Sequence, residues 1–175
     1  MPEKIYVGDL ELFVDNKKVE GKQLKIENEN FYKISNVDKM RPFFMSIVSN
    51  SNHWMFISST GSLSAGRKNC EFALFPYYTD DKITESSETT GSKTIITVKI
   101  KNKKFLWEPF SNRYHGAYKT SRNIYKNTIG NKIIFEEINH DLNIEFSYEW
   151  NSTDKYGFVR KSCLKNNSDN SVKIN

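Results

Sequence analysis

The side chains best suited to chemistry fall in two stretches. In Trp107-Glu-Pro-Phe-Ser-Asn-Arg-Tyr-His-Gly-Ala-Tyr-Lys-Thr-Ser-Arg122, one carboxylate stands beside a tryptophan, and Arg113, His115 and Arg122 follow. Aromatic surroundings can tune a carboxyl group for acid chemistry, which makes Glu108 the most site-like single acid of the chain. In Arg67-Lys-Asn-Cys-Glu-Phe-Ala-Leu-Phe-Pro-Tyr-Tyr-Thr-Asp-Asp81, the corresponding groups are Arg67, Asn69, Tyr77, Tyr78, Asp80 and Asp81. Both sets suit sugars, whose C–H faces stack on aromatic rings and whose hydroxyls pair with Arg, Asn, Asp and Glu. The same types are enriched at protein interfaces, and composition does not separate a sugar site from a surface that meets another domain.

Neither stretch holds a complete catalytic set. Glycosidic cleavage needs two carboxyl groups ~5 Å apart with retention or ~6.5–9.5 Å apart with inversion. Asp80 and Asp81 are adjacent in sequence, and Glu136 and Glu137 fall on opposite faces of one predicted strand, so neither pair meets that need. His53, His115 and His140 stand far apart, without ligand spacing for a metal. Gly61-Ser-Leu-Ser-Ala-Gly66 is neither a nucleophile elbow nor a phosphate loop. No catalytic residue, metal site or cofactor is assigned. An epimerase using Glu108 and His115 is the enzyme alternative, and a stand-alone carbohydrate-binding module is the binding alternative.

The chain has 175 residues, a length that suits one domain. Its apolar share is modest at 37%, but 12 Phe, 9 Tyr and 3 Trp supply bulk for a core. The net charge is +5, yet the lysines are spread, as Lys17-Lys18, Lys22, Lys25, Lys99, Lys101, Lys103-Lys104 and Lys161. No run reaches five like charges, so a solvated surface is favoured over a nucleic-acid face. The two cysteines, Cys70 and Cys163, make no disulfide framework and are read as reduced thiols. No apolar signal core or 18-residue apolar run occurs, which predicts a cytoplasmic chain without a membrane span.

The elements that would position these groups have a period of two. Leu142, Ile144, Phe146, Tyr148 and Trp150 alternate with Asn143, Glu145, Ser147 and Glu149, the pattern of a half-buried antiparallel strand. Ile96, Val98 and Ile100 alternate likewise, Lys132–Ile138 precedes the long strand across an Asn139-His-Asp141 turn, and Lys155–Leu164 follows it. Further strands are read at Ile5–Val14, Gln23–Ile26, Phe31–Ile34, Phe43–Ser49 and Trp54–Ser58. The last two are near-continuous apolar runs around Asn50-Ser-Asn52, so they are expected to be the most buried hairpin, covered on both faces. Short helical turns are conceivable at Glu71–Leu74 and Thr120–Asn127, and Asp80–Gly91 reads as an exposed loop. The expected fold is all-β: two packed antiparallel sheets of about 10–12 strands. Val172 and Ile174 begin a new apolar segment after a polar turn, which suggests an N-terminal piece of a longer chain.

The runs Arg41–Arg67, Leu74-Phe-Pro-Tyr-Tyr-Thr-Asp-Asp-Lys82, Trp107-Glu-Pro-Phe110 and Gly130–Asn139 carry a resemblance. Across roughly residues 40–165 the chain resembles the N-terminal region of large bacterial proteins related to glycoside hydrolases and phosphorylases. Those enzymes join a β-sandwich to an (α/α)6 barrel, and the cellobiose-phosphorylase-like group is the nearest named relative. The resemblance implies a galactose-mutarotase-like supersandwich, non-catalytic by itself. It would pack on a C-terminal helical catalytic domain and lend loops to a sugar site. The partners it implies are carbohydrate and that domain, with neither nucleic acid nor membrane, and a homodimer is compatible with it. It carries no catalytic residue onto this chain.

Overall fold

Alternation of buried and exposed side chains runs through the whole centre of the molecule. In a computed structural model, which describes residues 4–12, 16–75 and 79–175, fourteen strands and one short α-helix form an all-β, antiparallel sandwich-like fold. In chain order the strands are β1 (Ile5–Val7), β2 (Leu10–Leu12), β3 (Glu20–Ile26), β4 (Glu29–Ser35), β5 (Phe44–Ile47), β6 (His53–Ser58) and β7 (Leu63–Arg67). After α1 (Asp80–Glu85) come β8 (Ile96–Ile100), β9 (Lys103–Trp107), β10 (Thr120–Asn127), β11 (Lys132–Asn139), β12 (Ile144–Thr153), β13 (Gly157–Asn166) and β14 (Lys173–Ile174).

The largest sheet has six strands in the order β13-β12-β11-β10-β4-β3. Two three-stranded sheets, β5-β6-β7 and β14-β8-β9, contribute to the same hydrophobic cluster. Ile47, Met55, Ile57 and Leu63 come from the first, Ile96, Val98 and Trp107 from the second, and Ile133, Phe135, Ile144, Phe146, Tyr148 and Trp150 from the six-stranded sheet. Phe135 stacks on Tyr148 at 4.9 Å, and Phe110 meets Tyr148 edge-on at 5.2 Å. Such pairs add about 0.5–1.5 kcal/mol each beyond their burial. The fourth sheet is the small hairpin β1-β2.

Turn chemistry closes the central hairpins. The Asn127 carboxamide oxygen accepts from the Gly130 and Lys132 N–H groups, and Asn139 does the same for Asp141 and Leu142. Asx side chains mimic a backbone turn in this way. Leu142 therefore lies in the turn, still buried, and β12 starts at Ile144.

Several expectations change. Thr120–Asn127 is a strand, not a helical turn: Arg122 and Ile124 share the core face with Glu137 and Phe135, while Asn123 and Tyr125 share the other face with Glu136. Asp80–Gly91 is not simply an exposed loop, because α1 begins at Asp80 and Ile83 is fully buried. The hairpin β5-β6 is not covered on both faces, since Phe44 and Ser46 of β5 face solvent. The pair β11-β12 alternates through its core and has no exposed residue. The segment after Trp54–Ser58 contains a strand, β7, rich in small residues that let chains approach closely. A Cβ on Gly66 would stand 2.5 Å from the Trp54 ring and 2.6 Å from the Phe72 carbonyl oxygen. A short 3-10 turn does form near Glu71–Leu74, at Cys70–Phe72. The predicted first strand is the hairpin β1-β2, with Phe13 and Val14 outside the described residues. Both cysteines are free and exposed. Among the described residues, no helix is long and apolar enough to cross a membrane.

Candidate functional site

The site begins with a buried charge. On the core face of β11, Glu137 follows Ile133 and Phe135, and only 2% of it is exposed. An unpaired carboxylate there would cost several kcal/mol, so its oxygens must be met. Trp107 Nε1 donates to Oε1 at 2.9 Å. The Phe110 backbone N–H and Arg122 Nε donate to Oε2, each at 2.7 Å. The register places Arg122 directly opposite Glu137, so the ion pair is a cross-strand pair buried beneath the loop that follows β9.

Arg122 spends its remaining nitrogens on that loop. Nη1 donates to Asn112 Oδ1 at 2.8 Å and Nη2 to the Ser111 carbonyl at 2.7 Å. Glu88 holds the same loop: Oε1 accepts from the Asn112 N–H, and Oε2 accepts from Ser111 Oγ and Lys93 Nζ. Burial opposes ionisation of Glu88, but these donors outweigh it and keep its carboxyl below the ordinary value. Phe110, with φ 66°, is held in a left-handed conformation that a bulky residue rarely adopts. Its N–H bond to Glu137 and its ring packing on Phe135 and Tyr148 hold it there.

Against this braced loop lies a cavity of about 210 Å³. Its lining includes Trp107, Glu108, Tyr114, His115, Tyr118 and Thr120, together with Ile5 and Leu12 of the β1-β2 hairpin. Glu108 is the chemically open group. Its side chain is only 5% exposed, and its one ionic partner among the described residues is Arg113 Nη1 at 3.7 Å. That separation is too long for a hydrogen bond, so the carboxylate keeps acceptor capacity for a ligand. The Tyr118 hydroxyl is committed to the Leu106 carbonyl at 2.8 Å, whereas Tyr114 is largely exposed at the rim.

The expected site residues thus divide. Glu108, His115 and Arg122 line one cavity, and Arg113 reaches Glu108. Arg122 uses all three of its nitrogens on Glu137 and the loop, and acts as a brace for that loop. The other stretch does not join them: neither Arg67, Asn69 nor Asp81 lines this cavity. Arg67 Nε donates to His53 Nε2 at 2.9 Å. Because that nitrogen accepts, Nδ1 carries the proton and donates to Ser51 Oγ, so the imidazole is not placed to activate Ser51 as a base. The Asn69 side chain accepts from the Glu71 N–H and caps the 3-10 turn. Asp81 is exposed in the first turn of α1, where the Thr79 hydroxyl and the Lys82 N–H hold its carboxyl below the usual range. Tyr77 and Tyr78 lie outside the described residues, as does the side chain of Asp80.

Sequence reasoning passed over Glu137, Glu88, Asn112 and Tyr118. Glu137 carried a faint signal, a charge in line with Ile133 and Phe135. That signal became legible only with β10 as the neighbouring strand. Among the described residues, no group of three His, Cys, Asp or Glu side chains is placed to hold a metal ion. The chain matches no protein-family model and no curated protein sequence.

Proposed function

We propose that this domain is a non-catalytic carbohydrate-binding β-sandwich of a glycoside hydrolase- or phosphorylase-like enzyme. The observation that carries the reading is Glu108, a buried carboxylate that lines a small cavity and accepts no hydrogen bond from the described residues. Its oxygens suit two hydroxyls of a sugar ring, and the Tyr114 ring at the rim suits a C–H face. At about 210 Å³ the cavity is smaller than the roughly 300–1,000 Å³ of drug-sized sites, which fits one ring and not a buried chain. Exposed Phe72, Leu74 and Phe75 support the further reading that the domain packs on a helical catalytic domain.

Glycan-array screening followed by calorimetry tests the proposal. Glu108→Gln keeps the shape and removes the charge, so the expected loss is about tenfold in affinity, because hydrogen bonds to charged groups are worth roughly 1.5–3 kcal/mol. Unchanged affinity in that variant, or no glycan bound by the parent chain, would discard the cavity as a sugar site. The presence of both Glu108 and His115 in the lining favours a second reading, a mutarotase-like epimerase. Anomer interconversion by the parent that is lost in Glu108→Gln and in His115→Ala would select it.

A further inference from the structure

The lysines scattered along the sequence are gathered by the sheet β14-β8-β9. Lys99 on β8 stands opposite Lys104 on β9 and opposite Lys173 on β14. The three therefore form a row across three strands, exposed on the face away from fully buried Val98. Strands lie about 4.8 Å apart, so the row is roughly 10 Å long. With Lys103, Asn102 and Asn175 they line a shallow depression. None of Lys99, Lys103, Lys104 and Lys173 forms an ion pair with a described residue.

The six-stranded sheet is arranged in the opposite way. There Lys161 faces Glu149 and Lys165 faces Glu145, the latter pair at 3.7 Å. Like charges directly opposite one another destabilise a sheet. Lysines on edge strands guard against edge-to-edge pairing, and this accounts for Lys104 and Lys173. It does not account for Lys99, which sits on the central strand. An anion held on the face would relieve all three.

Strand β9 carries Lys104 of the row and, on its other face, Trp107 of the cavity lining, and Glu108 follows its end. From Lys104 to Glu108 the chain advances four residues, or ~13 Å in extended conformation. We infer that the ligand of this domain is a polyanionic polysaccharide, its carboxylate or sulfate groups on the lysine row and one hydroxyl-rich ring in the cavity. This rests on the carbohydrate reading of the cavity. Glu108 repels anionic substituents inside it, so the charges of the polymer belong outside, where the lysines stand. The face offers neither an aromatic platform for bases nor an arginine fork for phosphates, since Phe105 and Trp107 alternate toward the core. These features favour an acidic glycan over nucleic acid.

The test is titration calorimetry with polygalacturonate and alginate, each beside its neutral methyl-esterified form, with chondroitin sulfate beside its desulfated and methyl-esterified form, and with duplex DNA. The variants are Glu108→Gln and the triple Lys99→Gln/Lys104→Gln/Lys173→Gln, with circular dichroism to show that each is folded. The expected result is that at least one acidic polymer binds tenfold or more tighter than its neutral form, a preference on the order of that for a few surface lysines near an anionic array. That preference disappears in the triple variant and at about 0.5 M salt, where screening extends over only a few ångströms. Glu108→Gln weakens acidic and neutral forms alike. Equal binding of both forms, or an unchanged triple variant, overturns the lysine assignment and leaves the sugar cavity standing. A lysine-dependent preference that ignores Glu108→Gln removes the cavity reading and this inference together. Tighter lysine-dependent binding of DNA, or no binding of any acidic polymer, also overturns it.

Discussion

Glu137 shows how one side chain organises chemistry without taking part in it. It ties Trp107 from β9, Phe110 from the loop and Arg122 from β10 to a single carboxylate. Removing it leaves the Arg122 guanidinium without its ionic partner in a site that is 16% exposed. Glu137→Ala is therefore expected to cost about 3–5 kcal/mol, because breaking a buried pair strands the remaining charge. Urea unfolding measures it, and a loss under about 1 kcal/mol would show that the pair is a passenger. Glu108 was legible as a candidate from its aromatic neighbours alone. The bracing role of Arg122 was not, because a guanidinium looks the same in sequence whether its nitrogens bond the fold or a ligand.

At the scale of elements, alternation was readable wherever one face meets water. Ile96–Ile100 and Phe146–Trp150 declare themselves in this way, and the structure buries the expected side chains. Strands that lack the pattern were misread or missed. Thr120–Asn127 has an outer face that carries Asn123 and Tyr125 in a hydrogen-bonded group with Glu136, so polar residues are buried on it and the contrast between faces is lost. Leu63–Arg67 is small-residue-rich because β7 runs against the Cys70–Phe72 turn. A methyl group at Gly66 has no room, and two of its three nearest neighbours are backbone atoms that cannot swing aside. Gly66→Ala is expected to destabilise the fold by roughly 1–3 kcal/mol, the usual cost of overpacking. Thermal unfolding of the variant checks this, and an unchanged melting temperature would mean that β7 and the turn are not in contact as described.

At the scale of the whole molecule, a few carboxylates join segments distant in sequence. Glu29 on β4 pairs with Lys132 on β11 at 2.7 Å, and Glu88 ties the region after α1 to the cavity loop. Lys132 holds the Glu29 carboxyl below its ordinary value of 4.5, and for Glu88 the Asn112, Lys93 and Ser111 donors achieve the same net direction against burial. A carboxyl whose value is lowered by folding contributes stability above its unfolded value. That contribution is lost as pH falls through the lower folded value. Denaturant midpoints should therefore hold steady above about pH 5 and fall below pH 4.5, and the double variant Glu29→Gln/Glu88→Gln should show a shallower fall. An equally steep fall in that variant would place the acid sensitivity elsewhere.

The sequence by itself determined the all-β class, most of the central strands and the candidacy of Glu108 and His115. These depend on side-chain order along one strand or on immediate neighbours, and both are local properties. Only the tertiary structure decided which strands lie side by side. That choice set Arg122 against Glu137, left Glu108 open beside a cavity, and gathered Lys173 with Lys99 and Lys104 across 69 or more positions of chain. Strand register is a long-range property, fixed by how whole faces bury against one another, and no window of the sequence contains it.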